Sequence, residues 1–92
     1  MSHSREKATN KIPTLTKNEL PFGWKLTRHG KDFAVYNRLR ATVSANKEGD
    51  RYWLDWGMKD GDVIGTSFVK DSKKLNQTIK SIMNKEFALA RN

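Results

Sequence analysis

The chain has 92 residues, no cysteine, 10% aromatic residues and a formal net charge of +8. That length holds one domain at most, with a modest core and little room for a buried catalytic cavity. The missing cysteine excludes a disulfide framework and a thiolate zinc site and suits a reducing compartment; no apolar run of about 18 residues exists and Met1–Lys7 carries no apolar stretch, so a cytoplasmic protein is expected, neither membrane-spanning nor secreted.

Residues 1–19 are rich in Ser, Thr, Asn and Lys, with Ile12 and Leu15 as isolated apolar positions around Pro13. No periodicity emerges, so a disordered or loosely docked basic arm is expected, followed by one domain over 20–92. Such an arm either lies along a phosphate backbone through Arg5, Lys7, Lys11 and Lys17 or is an idle tail. Pro21 restricts Leu20 to an extended conformation, and the cluster Leu20–Trp24 pins a first strand. Trp24 and Leu26 share one face of it, Lys25 and Thr27 the other. Arg28–Asp32 reads as a hairpin connection, with Gly30 supplying a positive φ.

Phe33 to Ala45 alternates regularly. Phe33, Val35, Asn37, Leu39, Ala41, Val43 and Ala45 make one set, expected to face the core. Ala34, Tyr36, Arg38, Arg40, Thr42 and Ser44 make the other, expected to face out. Thirteen residues is long for one strand, so a bulge near Asn37-Arg38 is expected, with a turn that splits the run in two as the competing reading. Asn46–Asp50 is the next turn. Then comes Arg51-Tyr52-Trp53-Leu54-Asp55-Trp56-Gly57, where alternation sends Tyr52, Leu54 and Trp56 to the core and Arg51, Trp53 and Asp55 outward. Met58–Asp62 is a turn, with Asp60-Gly61 as its signal. Val63–Val69 is a last strand in which Gly65 marks a bulge or a close backbone approach. Asp71 or Ser72 caps a helix whose apolar stripe is Leu75, Ile79, Ile82, Met83 and Phe87, with Lys73, Lys74, Lys80 and Lys85 opposite. That stripe is read as core, with a homodimer contact through Phe87 and Leu89 as the lesser alternative.

The expected fold is α+β: an antiparallel meander of four or five strands covered on one face by a C-terminal amphipathic helix. This order of elements is similar to that of small single-stranded-DNA-binding transcriptional coactivator domains, and the sheet-plus-helix pattern resembles the arm-binding domains of integrases. Both likenesses are architectural and match no motif residue by residue.

Signals for catalysis are weak. His3 and His29 have no partner at ligand spacing, and Asp60-Gly61-Asp62 lacks the spacing of a calcium loop. No phosphate loop or nucleophile elbow is present, so neither enzyme activity nor a cofactor is expected. A magnesium-dependent nuclease using Asp50, Asp55, Asp60 and Asp62 is the remaining enzymatic alternative.

Charge points elsewhere. Residues 20–46 carry five cations against Asp32 alone, and residues 63–92 carry six against Asp71 and Glu86, whereas residues 47–62 hold five carboxylates against three cations. Such a field favours polyanions. The candidate nucleic-acid-binding residues are Lys25, Arg28, Tyr36, Arg38, Arg40, Arg51 and Trp53 on an open sheet face, with Lys73 and Lys74 on the helix. Arginine and lysine neutralise phosphates, and bases stack on flat rings. Set against this, Trp53 packs equally well under the arm or a dimer partner, Arg38 and Arg40 suit a merely solvated strand, and Asp55 beside Trp53 repels phosphate. The expectation is a small non-enzymatic nucleic-acid-binding regulator, DNA before RNA, of a size that suits phages. The alternative is a protein-interaction module docking an acidic surface of a larger enzyme.

Overall fold

The structure is a computed structural model that describes residues 11–59, 61 and 63–87. Five strands, β1 (Lys25–His29), β2 (Phe33–Arg38), β3 (Ala41–Glu48), β4 (Arg51–Met58) and β5 (Val63–Val69), form one antiparallel sheet in sequence order. The helix α1 (Ser72–Lys85) follows and packs on β4 and β5. The class is α+β, as the order of apolar periods predicted.

The long alternating run is two strands. Arg38 pairs with Ala41, which leaves Leu39-Arg40 as a two-residue turn with Leu39 at φ +54°. Pairing 38 with 41 joins an even position to an odd one, so the inward set changes parity at the turn. On β3 the inward residues are Ala41, Val43 and Ala45, as expected, but on β2 they are Ala34 and Tyr36. The β3–β4 turn is equally short, and Gly49 at φ +65° takes the left-handed conformation it requires. Gly30 has a different function from the one anticipated. Its amide donates to the Phe33 carbonyl (2.9 Å), and a Cβ there would collide with the Phe33 ring.

Two layers cover the inner face. Helix α1 is capped by Asp71, whose Oδ1 accepts from the Lys73 amide at 2.8 Å, and it buries Leu75, Ile79, Ile82 and Met83. The second layer comes from the segment expected to belong to the arm. Ile12 and Leu15 are buried, the Ile12 amide donates to the Gly30 carbonyl, and His29 Nε2 donates to the Ile12 carbonyl at 2.8 Å. The Leu15 amide donates to the Tyr36 hydroxyl at 3.0 Å. Thr16 and Glu19 close a turn in which the Thr16 amide donates to Glu19 Oε1 at 2.8 Å, and that bond holds the Glu19 carboxyl below its ordinary value. Residues 12–20 are therefore part of the domain: two apolar side chains three apart suffice to dock a short segment once its amides find acceptors. Arg5 and Lys7 lie outside the described residues.

The two layers meet through Asn76 Nδ2, which donates to the Thr14 carbonyl at 3.4 Å, and Trp24 packs against Phe87 at 5.4 Å between ring centroids. Phe87 is thus a core residue; Leu89 lies outside the described residues. At the other edge, Gly65 stands opposite Trp56 and leaves room for its indole, where a Cβ would collide. Among the described residues no helix is long and apolar enough to cross a membrane.

Candidate functional site

With the inner face covered twice, the opposite face of the sheet carries no layer among the described residues. Tyr52 and Leu54 are buried, so alternation turns Arg51, Trp53 and Asp55 of β4 outward. The register then lines up a cross-strand row: Phe33 on β2 pairs with Asn46 on β3, Asn46 with Trp53 on β4, and Trp53 with Phe68 on β5. All but Phe68 in this row are half-buried, and Phe68 is 50% exposed.

Each ring is held. Trp53 meets Phe68 edge to face, with centroids 4.4 Å apart and planes at 83°, the arrangement the ring quadrupoles prefer. Trp53 Nε1 donates to Asp55 Oδ1 at 2.6 Å, a charge-assisted bond that orients the indole. The Arg51 guanidinium lies 5.2 Å from the Phe68 centroid, and the Arg28 guanidinium, reaching from β1, lies 5.6 Å from that of Phe33. Both are cation–π contacts within the usual 6 Å reach. Asp55, a local objection to phosphate, therefore has a structural task at its neighbour.

Between Phe33 and Trp53 lies an open cleft of about 450 Å³. It is lined by those two rings and by Asn46, Asp32, Lys47, Glu48 and Asp55. Farther along the same face, beyond the row of Val35, Ser44 and Asp55, a polar chain crosses three strands: Thr27 Oγ1 donates to Asn37 Oδ1 at 2.6 Å, and Asn37 Nδ2 donates to Thr42 Oγ1 at 2.8 Å. The centre of the face is thus flat and polar, with its large rings along one row.

The sequence-derived candidates do not form a single surface. Lys25, Arg28, Arg51 and Trp53 lie on the open side. Tyr36 does not: it is fully buried, accepts from the Leu15 amide, and burial raises its phenol above the ordinary value. A ring in that position cannot stack on a base. Arg38 pairs with buried Ala41 and packs over Gly23, where a Cβ would sit 3.1 Å from Arg38 Nε. Arg40 occupies the exposed β2–β3 turn, and Lys73 and Lys74 are exposed in the first turn of α1, on the covered side of the sheet. The reason is the parity change at Leu39-Arg40, which removes Tyr36 and Arg38 from the face and delivers Phe33 in their place. Sequence reasoning missed Phe33, Asn46 and Phe68. Phe33 carried a signal, since an exposed-side Arg28 and a ring-accommodating Gly30 flank it.

The end of the sheet where the β2–β3 and β4–β5 turns meet exposes apolar side chains beside the cations Arg40 and Lys59. Phe22 is 93% exposed and Leu39 85%, and Met58, Val63 and Ile64 are exposed nearby. The Lys59 amide donates to the Arg40 carbonyl at 2.6 Å and ties the two turns together. Among the described residues no three His, Asp or Glu side chains converge to hold a metal ion. Of the four aspartates of the nuclease alternative, Asp50 sits in the β3–β4 turn and Asp55 on the open face, while Asp60 and Asp62 lie outside the described residues. No protein-family model matches the chain, and comparison with curated proteins and with solved structures returns no significant match.

Proposed function

We propose that the protein binds single-stranded nucleic acid, without catalysis, along the open face of its sheet. The observation that carries the reading is the row Phe33–Asn46–Trp53–Phe68, with Arg28 and Arg51 seated on its outer rings. Bases stack on such rings at roughly 1–3 kcal/mol each, and every base offers a π-face. Arg28 and Arg51 stand beside the rings, where a backbone threading past them places its phosphates, and Lys25 lies farther along the same face, opposite Asn37. A flat sheet presents nothing that reaches into a duplex groove, whereas unpaired bases splay onto it. The net charge of +8 draws a polyanion towards the molecule as a whole.

The test is a titration of the full chain with single- and double-stranded oligonucleotides, DNA and RNA, followed by tryptophan fluorescence at two ionic strengths. Quenching by single strands, weakening with salt and abolished in Trp53→Phe, is the expected result. If none of the four nucleic acids binds at low salt, the reading is lost.

A second reading, docking of a protein through the sheet end at the β2–β3 turn, rests on Leu39. A leucine at φ +54° with 85% of its surface exposed is conformationally and hydrophobically unfavourable, and such outliers accompany contact sites. Leu39→Asn should relieve both costs and raise stability; if the residue serves docking, the same change removes a partner while leaving oligonucleotide affinity as it was.

A further inference from the structure

We infer that the cleft between Phe33 and Trp53 is a slot for one nucleobase and that it selects guanine. The inference rests on the open face being a nucleic-acid interface and names the base that its central site takes.

Size comes first. Phe33 and Trp53 stand on β2 and β4 with β3 between them, so their backbones are roughly 9–10 Å apart. A flat ring in contact with both walls needs about 7 Å, at about 3.5 Å per face, and two stacked rings need more than the strands provide. One base fits. The walls are also held before any ligand arrives. Phe33 packs against Gly30 with Arg28 on its ring, and Trp53 is fixed by Phe68 and by Asp55. A slot held open in this way loses little further freedom on binding.

Chemistry then discriminates among the bases. The floor is the half-buried amide of Asn46, and the rim carries the carboxylates of Asp32, Glu48 and Asp55 with the single cation Lys47. Asp55 is engaged by the Trp53 indole, whereas the side chains of Asp32 and Glu48 have no hydrogen-bond or ion-pair partner among the described residues. An ionised carboxylate only accepts. Guanine offers two adjacent N–H donors on its pairing edge, N1–H and the N2 amino group, which match two carboxylate oxygens. Thymine and uracil present one N–H flanked by two carbonyls, which a carboxylate repels. Adenine and cytosine present one amino group beside a ring-nitrogen lone pair. Carboxylates on an otherwise basic molecule thus read a donor edge. A cationic ligand is disfavoured because Arg28 and Arg51 guard the outer sides of both walls, where they suit the phosphates on either side of a bound base.

The experiment titrates the full chain with labelled thymidine nonamers whose central base is thymine, guanine, adenine, cytosine or hypoxanthine, followed by anisotropy. The guanine-centred strand should bind about tenfold tighter than the thymine-centred one, the discrimination a bidentate contact provides. Hypoxanthine, which lacks the N2 amino group, should lose most of that gain. In D32N/E48Q the preference should vanish, and affinity for the thymine-centred strand should rise as two negative charges leave. Equal binding of all five strands overturns the inference and leaves the interface reading intact, whereas no binding of any strand removes both. A guanine preference that survives D32N/E48Q also overturns it. So does quenching of Trp53 by N-acetylarginine amide with no response to guanosine monophosphate, which would give the cleft to a cation.

Discussion

The two sides of the sheet are made by the same strands and differ in every respect that matters to function. The inner side holds Ala34, Tyr36, Val43, Ala45 and Leu54 at essentially zero exposure. Its one polar side-chain atom in that group, the Tyr36 hydroxyl, is bonded to the Leu15 amide. The outer side places rings beside cations and carboxylates and leaves much of their surface in solvent. A protein needing only solubility would put small polar residues at Phe33, Trp53 and Phe68, since exposed aromatic area gains nothing from folding. Stability is concentrated on one side, and the proposed recognition on the other. Mutations should therefore separate the two.

The largest effect belongs to the inner side. Leu54→Ala deletes a fully buried side chain at the centre of the sheet and should cost about 2–5 kcal/mol in urea unfolding. A cost below about 1 kcal/mol would break the comparison at its firmest point. Trp53→Ala, one position away and on the other side, should reverse the pattern. It loses an aromatic pair of about 0.5–1.5 kcal/mol, yet lowers oligonucleotide affinity by about tenfold. If Trp53→Ala unfolds the protein instead, the outer ring is a structural part and the two sides are not separable.

Tyr36→Phe sharpens the contrast from inside. It keeps the ring and strands the Leu15 amide, at a cost of about 1–2 kcal/mol. The same residue fixes an alkaline limit. Burial raises the folded phenol above its unfolded value, so its contribution is fully present below about pH 10 and is lost as pH rises through the folded pKa. Stability measured from pH 9 upward should fall in the wild type more steeply than in Tyr36→Phe; parallel curves would show that the hydroxyl titrates freely. The smallest effect is electrostatic. Arg51→Gln should leave the unfolding midpoint where it is and reduce the slope of log K against log salt by about 0.7, the share of one phosphate on a single strand.

How much of this was legible depends on the strand. On β4 the alternation alone decided the faces: Tyr52, Leu54 and Trp56 are all apolar and Arg51 and Asp55 are charged, so no other orientation buries less charge. On β2 both alternating sets are mixed. Phe33, Val35 and Asn37 compete with Ala34, Tyr36 and Arg38, and periodicity cannot rank two sets that each contain a ring and a polar group. The tie was broken outside the strand, by a turn at Leu39-Arg40 that no glycine or asparagine announces. The Leu15 amide then supplied Tyr36 with a partner in the core. The candidate interface was half readable for the same reason. Arg51 and Trp53 followed from β4, while Phe33, Asn46 and Phe68 became a row only through the register of three separate pairings.

Local periodicity and capping by themselves settled the α+β class, the strand-rich meander, the amphipathic helix with its Asp71 cap, and the outward position of Trp53. Each depends on contacts within a few residues, where spacing leaves one low-energy choice. Tertiary structure alone decided which side of β2 is buried, that residues 12–20 close the core, and which rings face one another across Asn46. Those outcomes are set by partners distant in the chain, by a two-residue turn that reverses parity and by amides that find acceptors twenty residues away, and no local pattern carries that information.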